Sequence, residues 1–243
     1  MTGTLYLIPN SLGPGELTSV IPAEVRSQTA SLDSFIAENA KTARAFLKLV
    51  ASTHPLKTVL QEIKIRELNV NTPARELPAL LAPLLAGKDV GLLSEAGVPA
   101  VADPGADLVR LAHENHIKVR PLVGPSSLLL ALMASGLNGQ SFAFHGYLPT
   151  DASERAARIR QLDQRSRQEK QTQLLIETPY RNEAMLEALA THCSVTTLIC
   201  VATDLTLATE TIRTATAQTW KKELAAGRAP DFRKKPSVFL FLG

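Results

Sequence analysis

The sequence predicts an α/β protein of two domains, each built on a mainly parallel sheet, with a ligand cleft between the domains. Two observations support this fold class. Short apolar runs alternate with longer segments of helical periodicity over the whole chain of 243 residues, which is typical of βα units around a parallel sheet. Proline and glycine then accumulate at residues 121–125, so we place the boundary between domains 1–122 and 123–243.

The elements of the first domain follow from its apolar runs and the residues that flank them. Strands are predicted at residues 4–8, 89–94 and 117–122. One helix is predicted from Thr72, as N-cap with Pro73 at the first helical position, to Gly87, and a second helix at residues 107–115. Because ligands of open α/β sheets bind beyond the carboxyl ends of the strands, the loops after these strands are expected to carry the chemistry.

The second domain is predicted to contain two further helices and four strands. An apolar helix begins at Ser126, and a charged helix covers about residues 151–170, where Asp151 and Glu154 form a capping pair. The strands are predicted at residues 142–144, 174–177, 197–202 and 237–242. The last of them has the continuous apolar character of a strand inside a sheet.

The composition is that of an ordinary globular chain. Apolar residues make up 45% and charged residues 20%, with a net charge of +3, which excludes an intrinsically disordered chain. Two cysteines imply no disulfide framework and fit a reducing compartment. No apolar run reaches the roughly 20 residues of a membrane span and the N-terminus lacks a basic signal-peptide start, so we expect a cytoplasmic protein without a membrane segment.

The common motifs of nucleotide and metal sites are absent from the sequence. There is neither a GxxxxGK[ST] loop nor a GxGxxG turn after a strand. His113 and His116 lie three residues apart, but no third ligand is near in sequence, so we expect no metal site.

Two loops are the most informative segments. Residues 94–105 follow a buried strand and read S-E-A-G-V-P-A-V-A-D-P-G, where small side chains permit close backbone approach and prolines stiffen the loop. Residues 121–127 form a second strand-to-helix turn with hydroxyls at the helix start. The alternative interpretations are a rigid connector for the first loop and simple N-capping for the second.

These loops, together with Pro9 and the segment F-A-F-H-G-Y-L-P at residues 142–149, resemble the tetrapyrrole methylase superfamily of S-adenosylmethionine-dependent enzymes. The resemblance is closer to its ribosomal RNA branch, the small subunit methyltransferase I type, which reads S-D-A-G-x-P…D-P-G, P-x-P-G-P and F-x-x-x-G-F-L-P in this order. I-E-T-P-Y-R at residues 176–181 and the D-L-T and E-T-I segments at residues 204–206 and 210–212 extend it. The match covers about residues 5–243.

The resemblance implies two α/β domains, a homodimer, and S-adenosyl-L-methionine bound in the cleft between the domains. It also implies which residues hold this cofactor, largely through backbone groups. Carried over by position, they are Pro9, Ser94, Glu95, Ala96, Gly97, Val98, Val101, Ser126, Ser127, Glu177, Thr178 and Leu205.

The function implied by the resemblance is methyl transfer from S-adenosylmethionine to small-subunit (16S) rRNA in the 30S subunit, at a ribose 2′-hydroxyl. Glu38 and Lys41 are the predicted catalytic residues near the acceptor. The branch reads E-D-T-R where this chain has Asn39 and Lys41, which removes a possible base and a bidentate phosphate clamp. Two alternatives stay open: a tetrapyrrole C-methyltransferase, or a non-catalytic protein that binds the cofactor or RNA on the same fold.

Charge gives a further indication about the acceptor. Residues 213–235 contain seven basic and two acidic residues, a surplus that could contact phosphates or simply form a solvated face. Aromatic residues are only 5% of the chain, so the composition indicates no base-stacking platform.

Overall fold

A computed structural model describes every residue, Met1–Gly243, and the chain forms two compact units, Met1–Ser126 and Ser127–Gly243. Each unit contains one five-stranded sheet with helices packed on it, which confirms the α/β fold class. The division between the units follows Ser126, whereas the sequence-based boundary follows Leu122. No helix combines the length and the apolar character that are needed to cross a membrane.

The first unit is built on a wholly parallel sheet. Its strand order is β3-β2-β4-β1-β5, and every pairing is parallel. All five strands therefore end at the same edge of the sheet. In chain order the elements are β1 (Thr4–Ile8), α1 (Ala23–Ala30), β2 (Ser34–Ala37), α2 (Ala40–Ala51), β3 (Lys64–Glu67), α3 (Leu77–Leu80), α4 (Ala82–Leu85), β4 (Val90–Leu93), α5 (Ala106–Glu114) and β5 (Lys118–Pro121).

Two apolar layers cover the two faces of this sheet. Neighbouring residues of one strand point to opposite faces, so Phe35 of β2 joins one layer and Ile36 joins the other. Gly91 of β4 leaves room for side chains of the adjacent strands, since a Cβ there would lie 2.5 Å from Ile8 and 2.7 Å from Phe35. The central strands are thereby buried on both faces, and functional groups are confined to the strand ends.

The single helix predicted from Thr72 to Gly87 is wrong. The structure has a 3₁₀ turn at Ala74–Glu76 followed by the short helices α3 and α4. Pro78 and Pro83 stand in the first turns of these two helices, and the absence of their N–H groups breaks one continuous helix into pieces. The Thr72 hydroxyl accepts the N–H of Asn69 at 3.0 Å, upstream in the chain, instead of capping a helix.

The second unit has a mixed sheet in the order β6-β7-β10-β8-β9. Only β6 and β7 pair in parallel, and the other three pairings are antiparallel. The prediction of a mainly parallel sheet is therefore wrong for this unit. Its elements are α6 (Ser127–Ser135), β6 (Phe142–Phe144), α7 (Ala152–Glu169), β7 (Thr172–Glu177), α8 (Asn182–His192), β8 (Leu198–Thr203), β9 (Thr211–Thr216), α9 (Ala217–Ala225) and β10 (Ser237–Leu242).

The antiparallel pairing of β8 with β9 has a local cause. β8 and β9 are joined by the short connection 204–210, which returns the chain beside the strand it has just left, whereas a parallel crossover needs a dozen or more residues. β9 was missed because its residues, T-I-R-T-A-T, are mostly polar. β10 lies between β7 and β8, as its continuous apolar run predicts.

Two buried groups hold the second core together. Trp220 is fully buried and its indole Nε1 donates to the carbonyl of Ile199 at 2.9 Å. Asp163 on α7 accepts the Thr197 hydroxyl at 2.6 Å and pairs with Arg167 at 3.0 Å, so its buried carboxylate is compensated. The predicted N-cap of α7 at Asp151 is confirmed, since its carboxylate accepts the Ser153 and Glu154 N–H groups. The Glu154 side chain makes no return hydrogen bond to Asp151, so the capping pair is one-sided.

Candidate functional site

The turns after β1 and β4 are tied together at the carboxyl edge of the parallel sheet. Asn10 and Gly97 form an antiparallel bridge, with N–H to carbonyl distances of 2.8 and 3.2 Å. The Asn10 side-chain amide donates to the carbonyls of Ser94 and Glu95 at 3.2 and 3.1 Å. The loop at residues 94–105 is therefore fixed to the chain that follows β1, and we call this arrangement the Asn10 strap.

Two glycines make this close packing possible. Gly97 has a φ of +69°, and a Cβ built there would lie 3.2 Å from the side chain of Leu12. A Cβ on Gly124 would lie 2.2 Å from the ring of Pro9, so Pro9 packs directly on the Gly124 backbone. Any larger side chain at either position would displace the strapped segments.

The loop after β4 also holds strained backbone. Ala100 and Ala102 have φ values of 65° and 63°, a region that non-glycine residues rarely adopt. In the second unit, Asp204 and Thr206 have φ values of 52° and 73° on either side of Leu205. Backbone of this kind persists only where the surrounding structure fixes it, and it is concentrated at ligand sites.

Three carboxylates gather at the carboxyl edge of the first sheet: Glu38 after β2, Glu95 after β4 and Asp103 within the loop. Burial, together with the negative charges of Glu38 and Glu95, raises the pKa of Asp103 to about 7. Burial also raises the pKa of Glu38, the Glu95 charge adds to the effect, and the Glu95 backbone amide opposes it. Glu38 Oε1 is buried without a hydrogen-bond partner. Burial and mutual repulsion thus disfavour the ionised forms of these carboxyls, and a cationic ligand would stabilise them.

The N-terminus of α2 supports this cluster. The Thr42 hydroxyl donates to Glu95 Oε1 at 2.5 Å. The Asn39 side chain caps α2 by accepting the N–H groups of Lys41 and Thr42 at 2.8 and 3.4 Å. Because an aspartate would accept the same two N–H groups, the amide at position 39 preserves the cap. Lys41 lies in the first turn of α2 and is exposed.

The predicted cofactor-binding residues of the first unit lie on and around the strap. Ser94 is buried, and its hydroxyl donates to the carbonyls of Ala96 and Gly97, both at 3.3 Å. Val98 is half-buried, and Val101 is exposed near the end of the loop. The structure brings Pro9 and residues 94–98 together through the Asn10 strap. Ser126, also predicted to contact the cofactor, is the last residue of this unit.

The predicted residues of the second unit lie after strands or at a helix start. Glu177 ends β7, and its Oε1 accepts the Thr178 N–H at 2.7 Å and pairs with Arg181 at 2.6 Å. This buried carboxylate is thus compensated and holds the turn that contains Thr178. Leu205 is buried after β8, and Ser127 begins α6.

Sequence reasoning missed three residues of this site. Asn10 directly follows Pro9. Its signal in the sequence is a polar residue just after a buried strand, which could have identified it. Asp103 stands in the quoted D-P-G segment but was assigned no role. Thr42 has no signal in the sequence, because its contact with Glu95 spans 53 positions.

Two comparisons with known sequences bear on this site. A family model described as Tetrapyrrole (Corrin/Porphyrin) Methylases matches residues 12–220. The ribosomal RNA small subunit methyltransferase I of Synechocystis sp. is 33% identical over 217 residues, covering 89% of this chain and 72% of that relative. The protein of the same name from Xylella fastidiosa is 30% identical over 224 residues, covering 92% of this chain and 76% of that relative.

Solved structures agree on the fold. The methyltransferase CobJ matches with a TM-score of 0.61 and 18% identity, covering 100% of this chain and 94% of that chain. The cobalt precorrin-4 methyltransferase CbiF matches with a TM-score of 0.59 and 16% identity, covering 98% and 94%. The resemblance stated from the sequence is confirmed, and so is the prediction of a methyltransferase. The chain belongs to the tetrapyrrole (corrin/porphyrin) methylase family.

Proposed function

We propose that this protein transfers a methyl group from S-adenosylmethionine to small-subunit ribosomal RNA, at a ribose 2′-hydroxyl. The observation that carries the proposal is the strapped loop at residues 94–105, whose Glu95 and Asp103 carboxylates cluster with that of Glu38. The proposal includes a cytoplasmic location and a homodimer.

The residues of the first unit fit the proposed methyl donor. S-adenosylmethionine has a sulfonium and an ammonium group, and three clustered carboxylates, one with an unpartnered buried oxygen, complement positive charge. The small residues of the loop let a ligand approach its backbone closely. The carbonyls of residues 94–97 already accept hydrogen bonds from Asn10 or Ser94, so a ligand would share these acceptors. When bound, the donor supplies an electrophilic methyl group. Pro9 and residues 94–98 and 101 are proposed to hold it, together with Ser126, Ser127, Glu177, Thr178 and Leu205.

The side chains of this cluster have distinct proposed tasks. Methylation of a hydroxyl releases a proton, and a carboxylate with a pKa of about 7 is suited to accept it near neutral pH. Asp103 also lies in the same carboxylate cluster as Glu38, the residue predicted near the acceptor, so we propose Asp103 as the general base. The sequence-based site did not include this residue. Glu38 is proposed to lie near the acceptor, and Lys41 is proposed to contact the RNA backbone. Alignment of the reacting groups supplies much of the remaining rate.

The RNA acceptor is supported by the relatives and by charge. Two relatives that are 33% and 30% identical are both ribosomal RNA small subunit methyltransferases I. The basic surplus at residues 213–235 suits phosphate contacts.

A tetrapyrrole acceptor is the second candidate, because the similar solved structures include a cobalt precorrin-4 methyltransferase. The test is incubation with methyl-labelled S-adenosylmethionine and either unmethylated 30S subunits or uroporphyrinogen. We expect label in the RNA, at a 2′-O-methyl nucleotide. Label in the tetrapyrrole alone would replace the proposal with the second candidate, and donor binding without any transfer would indicate a non-catalytic protein.

A further inference from the structure

A cavity lies in the second unit, beside the turn that follows β7. It has a volume of about 560 Å³, within the range of sites for small ligands. Its walls are partly apolar, and its edge is charged. The residues that matter for its chemistry are Pro179, Tyr180, Leu224, Phe232, Arg233 and Lys234.

Buried contacts fix one wall of this cavity. Phe232 is buried, and its ring lies 6.2 Å from the ring of Phe239 in the core. Asn182 is fully buried, and its side-chain amide donates to the Lys235 carbonyl at 2.9 Å. The Lys235 N–H donates to the Phe232 carbonyl at 3.1 Å, which closes a tight turn around Arg233 and Lys234. The wall is thus preorganised, which lowers the entropy cost of binding.

The outer edge presents an aromatic ring and two cations to solvent. The Tyr180 side chain is 85% exposed, although it is a large aromatic residue. The Arg233 side chain is 92% exposed, and its Nε pairs with Asp231 at 3.1 Å. Lys234 is also exposed, with a left-handed φ of 59°. Glu183 lines the same cavity and offers an acceptor for an amino group.

We propose that this cavity binds one nucleotide of a single-stranded RNA segment, with its base stacked on Tyr180 and its phosphates on Arg233 and Lys234. An exposed ring beside cations is the arrangement by which proteins bind single strands without reading their sequence. Glu183 and Asp231 also line the cavity and balance Arg233 and Lys234. The preference for a polyanion over an apolar partner therefore comes from the wider segment 213–235, where basic residues outnumber acidic residues by five. This subsite rests on the proposed RNA substrate and supplies the stacking residue that the composition does not indicate.

The direct test is binding of a decaribonucleotide containing 2-aminopurine, whose fluorescence is quenched on stacking. Tyr180→Ala should weaken binding about tenfold and remove the quenching, whereas Tyr180→Phe should retain both. Arg233→Glu with Lys234→Glu should weaken binding further and lower the salt slope by about one to two. Lys48→Glu, an exposed charge reversal on α2, is the control and should lower the affinity much less than the double variant.

A second measurement separates this subsite from the proposed function. With 30S subunits, Tyr180→Ala should raise KM about tenfold and leave kcat and the affinity for S-adenosylhomocysteine unchanged. An unchanged KM and unchanged quenching would overturn the subsite while the methyltransferase assignment stands. If the wild-type protein methylates no RNA, the proposed function fails, and Tyr180-dependent quenching alone would still support the cavity.

Discussion

The two sheets of this protein differ in strand direction and in the chemistry that they carry. In the first unit all strands are parallel, their ends meet at one edge, and three carboxylates gather there. In the second unit three of four pairings are antiparallel, and the segment around its last helix is rich in cations. Under the proposed function, the carboxylates of the first unit would suit the cationic donor, and the cations of the second unit would suit the anionic acceptor.

The two units nevertheless share one device. Each places two non-glycine residues in the left-handed region in the loop after a buried strand, Ala100 and Ala102 after β4, and Asp204 and Thr206 after β8. In the second unit the Asp204 carboxylate accepts the Thr209 hydroxyl at 2.8 Å, which stabilises the loop internally. In the first unit the loop is held by the Asn10 strap. Because each loop is held by contacts within its own unit, a substitution in one loop can be tested without altering the other.

The largest effect is expected for the proposed base. Asp103→Asn should lower kcat for methyl transfer to 30S subunits by about a hundredfold or more, because the released proton loses its acceptor. In the wild-type protein the rate should rise with pH through about 7, and the variant should lose this rise. The exposed Asp107→Asn is the control. A variant that keeps the wild-type pH profile would remove Asp103 from the mechanism.

A smaller effect is expected for Gly97→Val. The new side chain would strain a backbone with φ +69° and press on Leu12, moving the loop that is proposed to hold the donor. We expect the affinity for S-adenosylhomocysteine, measured by calorimetry, to fall about a hundredfold. Gly136→Val has a matched φ of +70° with no atom near its Cβ, so it should cost stability and leave donor affinity unchanged. Equal effects of the two variants would show that Gly97 is only a folding requirement.

Loss of the strap should have a moderate effect. Asn10→Ala removes two side-chain hydrogen bonds to the carbonyls of Ser94 and Glu95, and each is worth about 1 kcal/mol. Donor affinity should fall about tenfold, because the loop is no longer preorganised. Asn115→Ala, which removes a bond to the Leu111 carbonyl on an exposed helix end, should leave affinity unchanged. Wild-type affinity in the Asn10 variant would contradict the role of the strap.

The last prediction concerns stability and pH instead of activity. Since the pKa of Asp103 in the folded protein is raised to about 7, above its unfolded value of about 3.9, folding disfavours its ionised form. Its ionisation therefore lowers the free energy of unfolding progressively as pH rises from about 4 to 7, and the loss persists above 7. Urea denaturation should show Asp103→Asn more stable than wild type at pH 8 and the difference shrinking toward pH 4. A difference independent of pH would contradict the raised pKa.

Much of the fold follows from local sequence features. The Asp151 cap, the charged helix behind it and the interior position of β10 depend on short-range patterns that a sequence displays directly. The direction of strand pairing does not, because an apolar run such as S-V-F-L-F-L fits a parallel or an antiparallel neighbour equally well. The single helix predicted from Thr72 to Gly87 rests on signals at its two ends, whereas Pro78 and Pro83 between them break it into short helices.

For the candidate site, too, local features can be predicted from the sequence, whereas contacts between distant segments cannot. The small residues and prolines of the loop at residues 94–105 single it out in the sequence, although the same composition also fits a rigid connector. The strap and the raised pKa of Asp103 depend on distances between segments far apart in sequence, with Asn10 and Ser94 84 positions apart. Such contacts are set by the order of strands in the sheet, which single-sequence patterns do not determine.

The central claim is that the backbone of the loop after β4 holds the methyl donor. The most direct measurement is a crystal structure of the protein grown with S-adenosylhomocysteine. We predict ligand density against residues 94–101, with the Asn10 strap intact and a carboxylate of the Glu38, Glu95 and Asp103 cluster near the amino group. Well-defined density for the ligand at another place, with this loop free of it, would contradict the account.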